Sequence, residues 1–475
     1  MKYKLPESLV GYKIFMVGIK GTGMAALAEL LTKQGAIVTG SDVPQHFFTD
    51  DLLKKANIPY FTEFKADHID STIQMVIHSS AYSKDDNPVL IRAKELSLPT
   101  LIYTEALGFL SELSFSVGIS GIHGKTTTTA ITGTIIKELG LEASTLVGSG
   151  VPSFGGSAIN VNGNNYFIAE TCEYYRHFLS FSPNIVLVTS IEMDHPDYFK
   201  DYNDIIDAFT SYILKLPEGG EVIYCADDNG VMDLITSCKE LRGDIKYTGY
   251  GSRAEGDFKL VKHSSSSGLN SFYLKGFNEE FRLKVPGYHT VLDSIGGICI
   301  ASSLLKEEGI DPLDRVSDIQ KGLLKFSGTK RRSEIIGERD GILFIDDYGH
   351  HPTAINTTLK GYRDFYPGRR IIVDFMSHTY TRTSELLDEF ASSFSSADIV
   401  ILNKIYSSAR ELYNGKIDGE TLFNETKKYH DSVYYCPEYE DAIIKVKSIL
   451  KPGDIFVTMG AGNNWQVGER VFKEV

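Results

Sequence analysis

The sequence predicts an α/β protein of three domains, each built on a mainly parallel sheet. Three observations carry that reading. At 475 residues the chain is long enough for about three domains of ordinary size. Short apolar runs alternate with segments of helical periodicity, the pattern of strands buried on both faces with helices covering them. The alternation starts afresh twice, after residues near 108 and 330, giving 1–108, 109–329 and 330–475 as the expected domains.

In the first series "YKIFMVGI" is a strand, "GTGMAALAELLTKQG" a helix closed by glycine, and "AIVTGSD", "QMVIHSS" and "LPTLI" are further strands. The second series runs through "SFSVGIS", "NYFIAE", "NIVLVTS" and "GEVIYCAD". Over 245–286 the pattern changes to short strands and polar turns, including "HSSSSG", which predicts hairpins appended to the central sheet. The helix "LDSIGGICIASSLLKEEG" follows, and "GILFIDD", "RIIVDFM", "ADIVILN" and "DIFVTMG" form the third series.

Composition limits the class. With 42% apolar and 23% charged residues the chain is an ordinary globular one. Its net charge of −14 argues against a broad nucleic-acid footprint, which needs a basic face. No apolar run reaches the length of a membrane span, and "MKYKLPESLV" lacks the apolar core of a signal peptide. The five cysteines form no C-x-x-C pair. A cytoplasmic enzyme with reduced thiols and no membrane insertion is the expectation.

"VGISGIHGKTTTT" carries the strongest chemistry. The usual phosphate loop would place a glycine at Ile119, but the glycines fall at Gly118, Gly121 and Gly124. The context is still a strand running into a helix, where small residues and unsatisfied N–H groups accept an anion. In that setting Lys125 reaches the terminal phosphates and Thr126 offers its hydroxyl to Mg²⁺. A glycine-rich turn with a surface lysine is the bland alternative.

Acids at neighbouring strand ends are the candidate metal holders. Glu170 and Glu173 follow "NYFIA", and Glu192, Asp194 and His195 follow "NIVLVTSI". Singly, each is as easily a helix cap or a solvated turn. "GIKGTGM" brings Gly18, Gly21 and Gly23 to the start of the first helix, with Asp42 placed where such folds hold a ribose. The pattern points to a diphosphate ligand, with NAD, FAD and a nucleotide sugar all open, and a tight turn packing helix on strand is the alternative. A third cluster comprises Lys330, Arg331, Arg332, Asp346, Asp347, Tyr348, His350, His351, His378, Tyr380 and Arg382.

In this order the motifs resemble those of the Mur ligases of peptidoglycan synthesis, over nearly the whole chain. "GIHGKTTT" is similar to the family's G-T-H-G-K-T-T-T, "SIEMDHPDYF" to N-I-E-x-D-H, and "PGYHTVLDS" to P-G-x-H-N-x-x-N. "RR", "DDYGHHPT" and "HTYTRT" complete the series. The family loop is G-x-x-G-K-T and begins at Gly121, so Ile119 lies outside it. The resemblance implies an N-terminal Rossmann-like domain for a UDP-sugar, a central P-loop-type ATP domain, and a mobile C-terminal Rossmann-like domain. The implied reaction couples ATP to joining L-alanine to the lactyl carboxylate of UDP-N-acetylmuramate, through an acyl phosphate.

By the same resemblance Gly121, Ile122, His123, Gly124, Lys125, Thr126, Thr127, His289, Arg331 and Asp347 bind ATP. Thr126, Glu170 and His195 hold Mg²⁺, and Lys125, Glu170, His195 and Arg331 serve catalysis. Gly18, Gly21, Gly23, Asp42, Ser79 and Ser80 bind the UDP-sugar, and Tyr348 and Arg382 face the amino acid. A monomer or weak homodimer is expected. Departures from the pattern are Thr290 and Asp293 for two asparagines near the adenine, Thr379 for an arginine, Cys172 for an acid and Lys20 for a glycine. A ligase adding a recycled tripeptide, a nicotinamide-dependent oxidoreductase and a nucleotide switch without chemistry are the rival readings.

Overall fold

The structure is a computed structural model; it describes residues 3–475 except 48, 83–84, 196–197, 267, 408–410, 412–414 and 416. The first sheet contains β1 (Lys13–Val17), β2 (Ile37–Ser41), β3 (Tyr60–Phe61), β4 (Met75–His78) and β5 (Thr100–Ile102), all parallel in the order β3-β2-β1-β4-β5. Its helices are α1 (Thr22–Lys33), α2 (Thr49–Lys55), α3 (Pro88–Glu95) and α4 (Tyr103–Glu112). The strand order reverses at β1, so a crevice opens beyond the carboxyl ends of β1 and β4, where Gly18 and Ser79 lie.

The second sheet is built from β6 (Phe115–Ser120), β7 (Ala143–Leu146), β8 (Ile159–Val161), β9 (Tyr166–Glu170), β10 (Ile185–Val188), β11 (Glu221–Cys225) and β12 (Lys246–Tyr250). The order is β12-β11-β10-β6-β9-β7-β8, parallel except for β8. Here β6 is the switch strand, with β9 and β10 beside it. The ends of these three strands therefore bring residues 121–124, Glu170 and 189–192 to one edge. Helices α5 (Lys125–Leu139), α6 (Tyr202–Ile213) and α7 (Asn229–Leu241) belong to this series.

The hairpins expected on the central sheet form a sheet of their own. β13 (Leu260–Ser266), β14 (Leu269–Leu274) and β15 (Phe281–Leu283) pair antiparallel with one another and with no strand of the central sheet. The physical reason is that their apolar positions close on themselves: Phe272 and Phe281 stack with ring centroids 5.5 Å apart, and both are fully buried. Helices α8 (Tyr288–Glu307) and α9 (Val316–Lys325) follow.

The last sheet comprises β16 (Glu334–Arg339), β17 (Ile342–Asp347), β18 (Ile371–Phe375), β19 (Ile399–Leu402), β20 (Val433–Tyr435) and β21 (Ile455–Met459), ordered β16-β17-β21-β18-β19-β20 with only β16 antiparallel. Its strands alternate between two cores. Leu343, Ile345, Val373 and Val457 pack on one face with helix α10 (Pro352–Phe365), while Ile342, Phe344, Ile372 and Phe456 pack on the other. A short helix α11 (Tyr380–Glu385) follows β18.

By density of contacts the chain divides into two compact units. One contains residues 1–192, 205–258 and 294–325, and thus the first two sheets. The other contains 193–204, 259–293 and 326–475, and thus the antiparallel sheet and the last one. Among the described residues no helix is long and apolar enough to cross a membrane.

Candidate active site

In the first unit the strand-to-helix loop after β6 is shaped by two glycines. Gly121 has φ +133°, and a Cβ there would lie 2.0 Å from the Thr189 hydroxyl; Gly124 caps α5 with φ +83°. The N–H groups of Ile122 and His123 donate to Ser190 at 2.9 Å, through its carbonyl and its hydroxyl respectively. These two expected ATP contacts are thus spent on holding the loop against the end of β10. The N–H groups of Lys125 to Thr127 begin α5, the kind of helix start that favours an anion.

Lys125 donates to Glu173 at 2.9 Å, to the Ile122 carbonyl at 3.1 Å and to the Gly121 carbonyl. Burial works against its charge, but the carboxylates of Glu173 and Glu170 outweigh it and hold the ammonium above its ordinary range. The Thr126 hydroxyl donates to Glu170 at 3.0 Å, and the other Glu170 oxygen accepts the Gly148 N–H at 2.9 Å. His123 and Glu192 form a further pair beside the loop. Lysine, threonine hydroxyl and glutamate thus converge at one sheet edge.

At the edge of the first sheet, Asp42 accepts the Lys20 N–H at 2.7 Å and the Val43 N–H at 2.8 Å, and the Tyr82 hydroxyl at 3.1 Å. The Asp42 carboxylate is buried and organises the glycine loop as well as facing the crevice. Gly18 leaves room for the Tyr82 ring, which a Cβ would approach to 2.6 Å. Gly21 caps α1; Ser79 is half-buried and Ser80 exposed. Lys20, the departure in this loop, turns its ammonium away. It donates to the carbonyls of Val43 and Gln45, both at 2.9 Å, and pairs with Asp50 at 3.1 Å. The contact of Tyr82 with this loop was not visible in the sequence, because no motif surrounds that residue.

In the second unit Arg331 donates to Asp346 at 3.0 Å and to the carbonyls of Gly460 and Gly462 at 2.7 and 3.2 Å, and its backbone sits at φ +60°. The Tyr348 ring lies 5.2 Å from the Arg331 guanidinium and 5.1 Å from that of Arg332. Asp347 uses both oxygens on backbone, accepting the N–H groups of Ser333 and Gly349 at 2.7 Å each.

Arg382 is buried and donates twice to one oxygen of Asp194, at 2.7 and 3.2 Å. Burial pushes the Asp194 carboxyl up, but His195 and the buried Arg382 guanidinium hold it well below the carboxylate range. His350 is kept neutral by burial and by the Arg382 charge. His195 adopts φ +53° and donates its N–H to Asp194 at 2.7 Å. His289 stands half-buried in the first turn of α8. The Thr290 hydroxyl lies 2.7 Å from the Gly287 carbonyl and 2.9 Å from that of Pro286, and donates to this turn. Thr379 has φ +67°, a left-handed backbone that is unusual for a β-branched residue.

Comparison with known proteins defines the class. The Mur ligase catalytic-domain family matches residues 13–114, the Mur ligase middle domain 119–301 and the Mur ligase glutamate ligase domain 331–462. The chain belongs to the Mur ligase family. The UDP-N-acetylmuramate–L-alanine ligase of Treponema pallidum (strain Nichols) is 49% identical over 469 residues, 98% of each chain. That of Borreliella burgdorferi is 41% identical over 456 residues, 95% of this chain and 97% of the relative. Among solved structures, a UDP-N-acetylmuramate-alanine ligase from Thermotoga maritima shares the fold with a TM-score of 0.78 at 24% identity, covering 97% of this chain and 98% of that one.

Proposed function

We propose that this protein is the ATP-dependent ligase that joins L-alanine to the lactyl carboxylate of UDP-N-acetylmuramate in peptidoglycan precursor synthesis. The observation that carries the reading is the near-full-length identity to ligases of that name, together with the Lys125, Thr126 and Glu170 cluster at the switch strand. The functional division is 1–108 for the UDP-sugar, 109–329 for ATP and 330–475 as the mobile part. The protein works in the cytoplasm as a monomer or weak homodimer.

The lactyl carboxylate attacks the γ-phosphorus of ATP, and ADP leaves. The amine of alanine then adds to the acyl carbon, and the tetrahedral centre expels inorganic phosphate to leave the amide. Two anions must meet in the first step, so positioning and charge neutralisation dominate. Lys125 supplies a charge at the transferring phosphoryl group, freed from Glu173 and the loop carbonyls as phosphate takes their place. Arg331 adds a planar donor set to the phosphoryl oxygens. Thr126 and Glu170 offer hard oxygen donors 3.0 Å apart, which fits one Mg²⁺, and by the family resemblance His195 would bind a second. Bound there, Mg²⁺ would neutralise phosphate charge. Asp347 fixes the turn that meets the ATP ribose, and Tyr348 and Arg382 meet the alanine.

Phosphate release with UDP-N-acetylmuramate against alanine, glycine, serine and a tripeptide tests the reading. Alanine should give the highest kcat/KM; release stimulated only by the tripeptide, or by no amine, overturns it.

A further inference from the structure

A cavity of about 200 Å³ in the first unit is lined by Thr22 and Gly23 at the start of α1 and by Glu170 and Thr171 at the end of β9. Tyr103, the first residue of α4, lies along it. Its phenol is packed against Gly23 so closely that a Cβ on Gly23 would stand 2.9 Å from the hydroxyl oxygen. The glycine loop's last glycine is therefore needed for the phenol as much as for a ligand.

Tyr103 is half-buried, and its hydroxyl makes no hydrogen bond among the described residues. Burial and the Glu170 carboxylate keep the phenol well above its ordinary range, so it remains a donor. A phenol that lines a cavity with no protein partner offers its donor to whatever fills that cavity. Its lining includes both the start of α1, assigned here to the UDP-sugar, and Glu170, which accepts from the Thr126 hydroxyl. The substrate has to span this interval with its sugar.

We infer that the Tyr103 hydroxyl donates a hydrogen bond to an acceptor oxygen of the N-acetylmuramyl portion of the substrate, making it a positioning residue between the diphosphate and the reacting carboxylate. The inference rests on the proposed reading of the glycine loop as the UDP-sugar site. The neighbouring lysine of that loop cannot serve, because Lys20 spends its ammonium on Val43, Gln45 and Asp50.

The test is calorimetric binding of UDP and of UDP-N-acetylmuramate to the full-length protein and to Tyr103→Phe, which keeps the ring against Gly23. One neutral hydrogen bond should weaken binding of UDP-N-acetylmuramate by about three- to tenfold. UDP affinity and the KM for ATP should not change. Unchanged UDP-N-acetylmuramate affinity, or equal loss of UDP and UDP-N-acetylmuramate, overturns the inference. Gly21→Val separates the two levels: if it leaves UDP affinity intact, the glycine-loop reading itself fails, whatever Tyr103→Phe shows.

Discussion

Lys125 illustrates how a single side chain is prepared for a ligand. Its ammonium is buried against Glu173 and two loop carbonyls, so no isolated buried charge exists before phosphate arrives. Lys125→Ala should lower phosphate release by about 10²- to 10³-fold or more, the scale of a lost transition-state donor. UDP affinity, measured in parallel, should survive; near-normal turnover would remove Lys125 from the ATP site. Arg382 likewise has its charge met, by the Asp194 carboxylate, and under the proposed function an amino-acid carboxylate would compete for the same donors. A lysine cannot reproduce a planar pair of donors. Arg382→Ala and Arg382→Lys should therefore still form the acyl phosphate, trapped by borohydride, yet show a KM for alanine raised by roughly tenfold or more, one charged contact. A normal KM in both would place Arg382 elsewhere. Thr290 gives its hydroxyl to a helix-start turn, so under the proposed function His289 and backbone groups would meet the base. GTP and ITP should accordingly support measurable turnover, and strict ATP dependence would count against that pocket.

At the scale of single elements, β18 carries a carboxyl group in an interior position. Asp374 is fully buried, with amide donors from Asn403 at 3.0 Å and Asn464 at 3.3 Å. Burial lifts its carboxyl to about 7 from an ordinary 3.8, against the pull of those two amides. Native Asp374 thus holds its proton more tightly than the unfolded chain does. The resulting stability is fully present below 3.8 and is lost as pH rises through about 7. Urea midpoints of the intact protein should fall across that window more steeply than those of Asp374→Asn; identical slopes would show that the carboxyl is not titrating there. The central strands were legible, because β4, β10, β18 and β21 are unbroken apolar or near-apolar runs and prove buried on both faces, whereas the short or outer strands β3, β7, β8, β16 and β20 were not. The attachment of β13 to β15 was not legible. Alternation shows that a strand has one buried face but not which element covers it.

On the scale of the molecule, contacts gather the first two sheets into one unit, although strand alternation alone suggests three equal partners. Part of the cause is polar and local. Glu29 of α1 is buried and accepts from the Ser157 hydroxyl at 2.7 and 2.8 Å, and Lys33 pairs with the same carboxylate. Thermal unfolding should show two transitions, with UDP-N-acetylmuramate raising the one that belongs to residues 1–192, 205–258 and 294–325. A single transition unaffected by the sugar nucleotide would contradict this division.

The sequence by itself determined the fold class, the three strand series and the residue types gathered at strand ends, because these depend on local periodicity and on the short spacing of "GIHGKTTT" and its companions. What each of those residues touches was decided by the tertiary structure alone. The pairing of Arg382 with Asp194 spans 188 positions, that of Lys125 with Glu173 spans 48, and the meeting of Gly23 with Tyr103 depends on how α4 crosses α1. Such contacts are set by strand order and packing. No periodicity encodes them, since one short sequence stretch is compatible with many neighbours until the sheets are assembled.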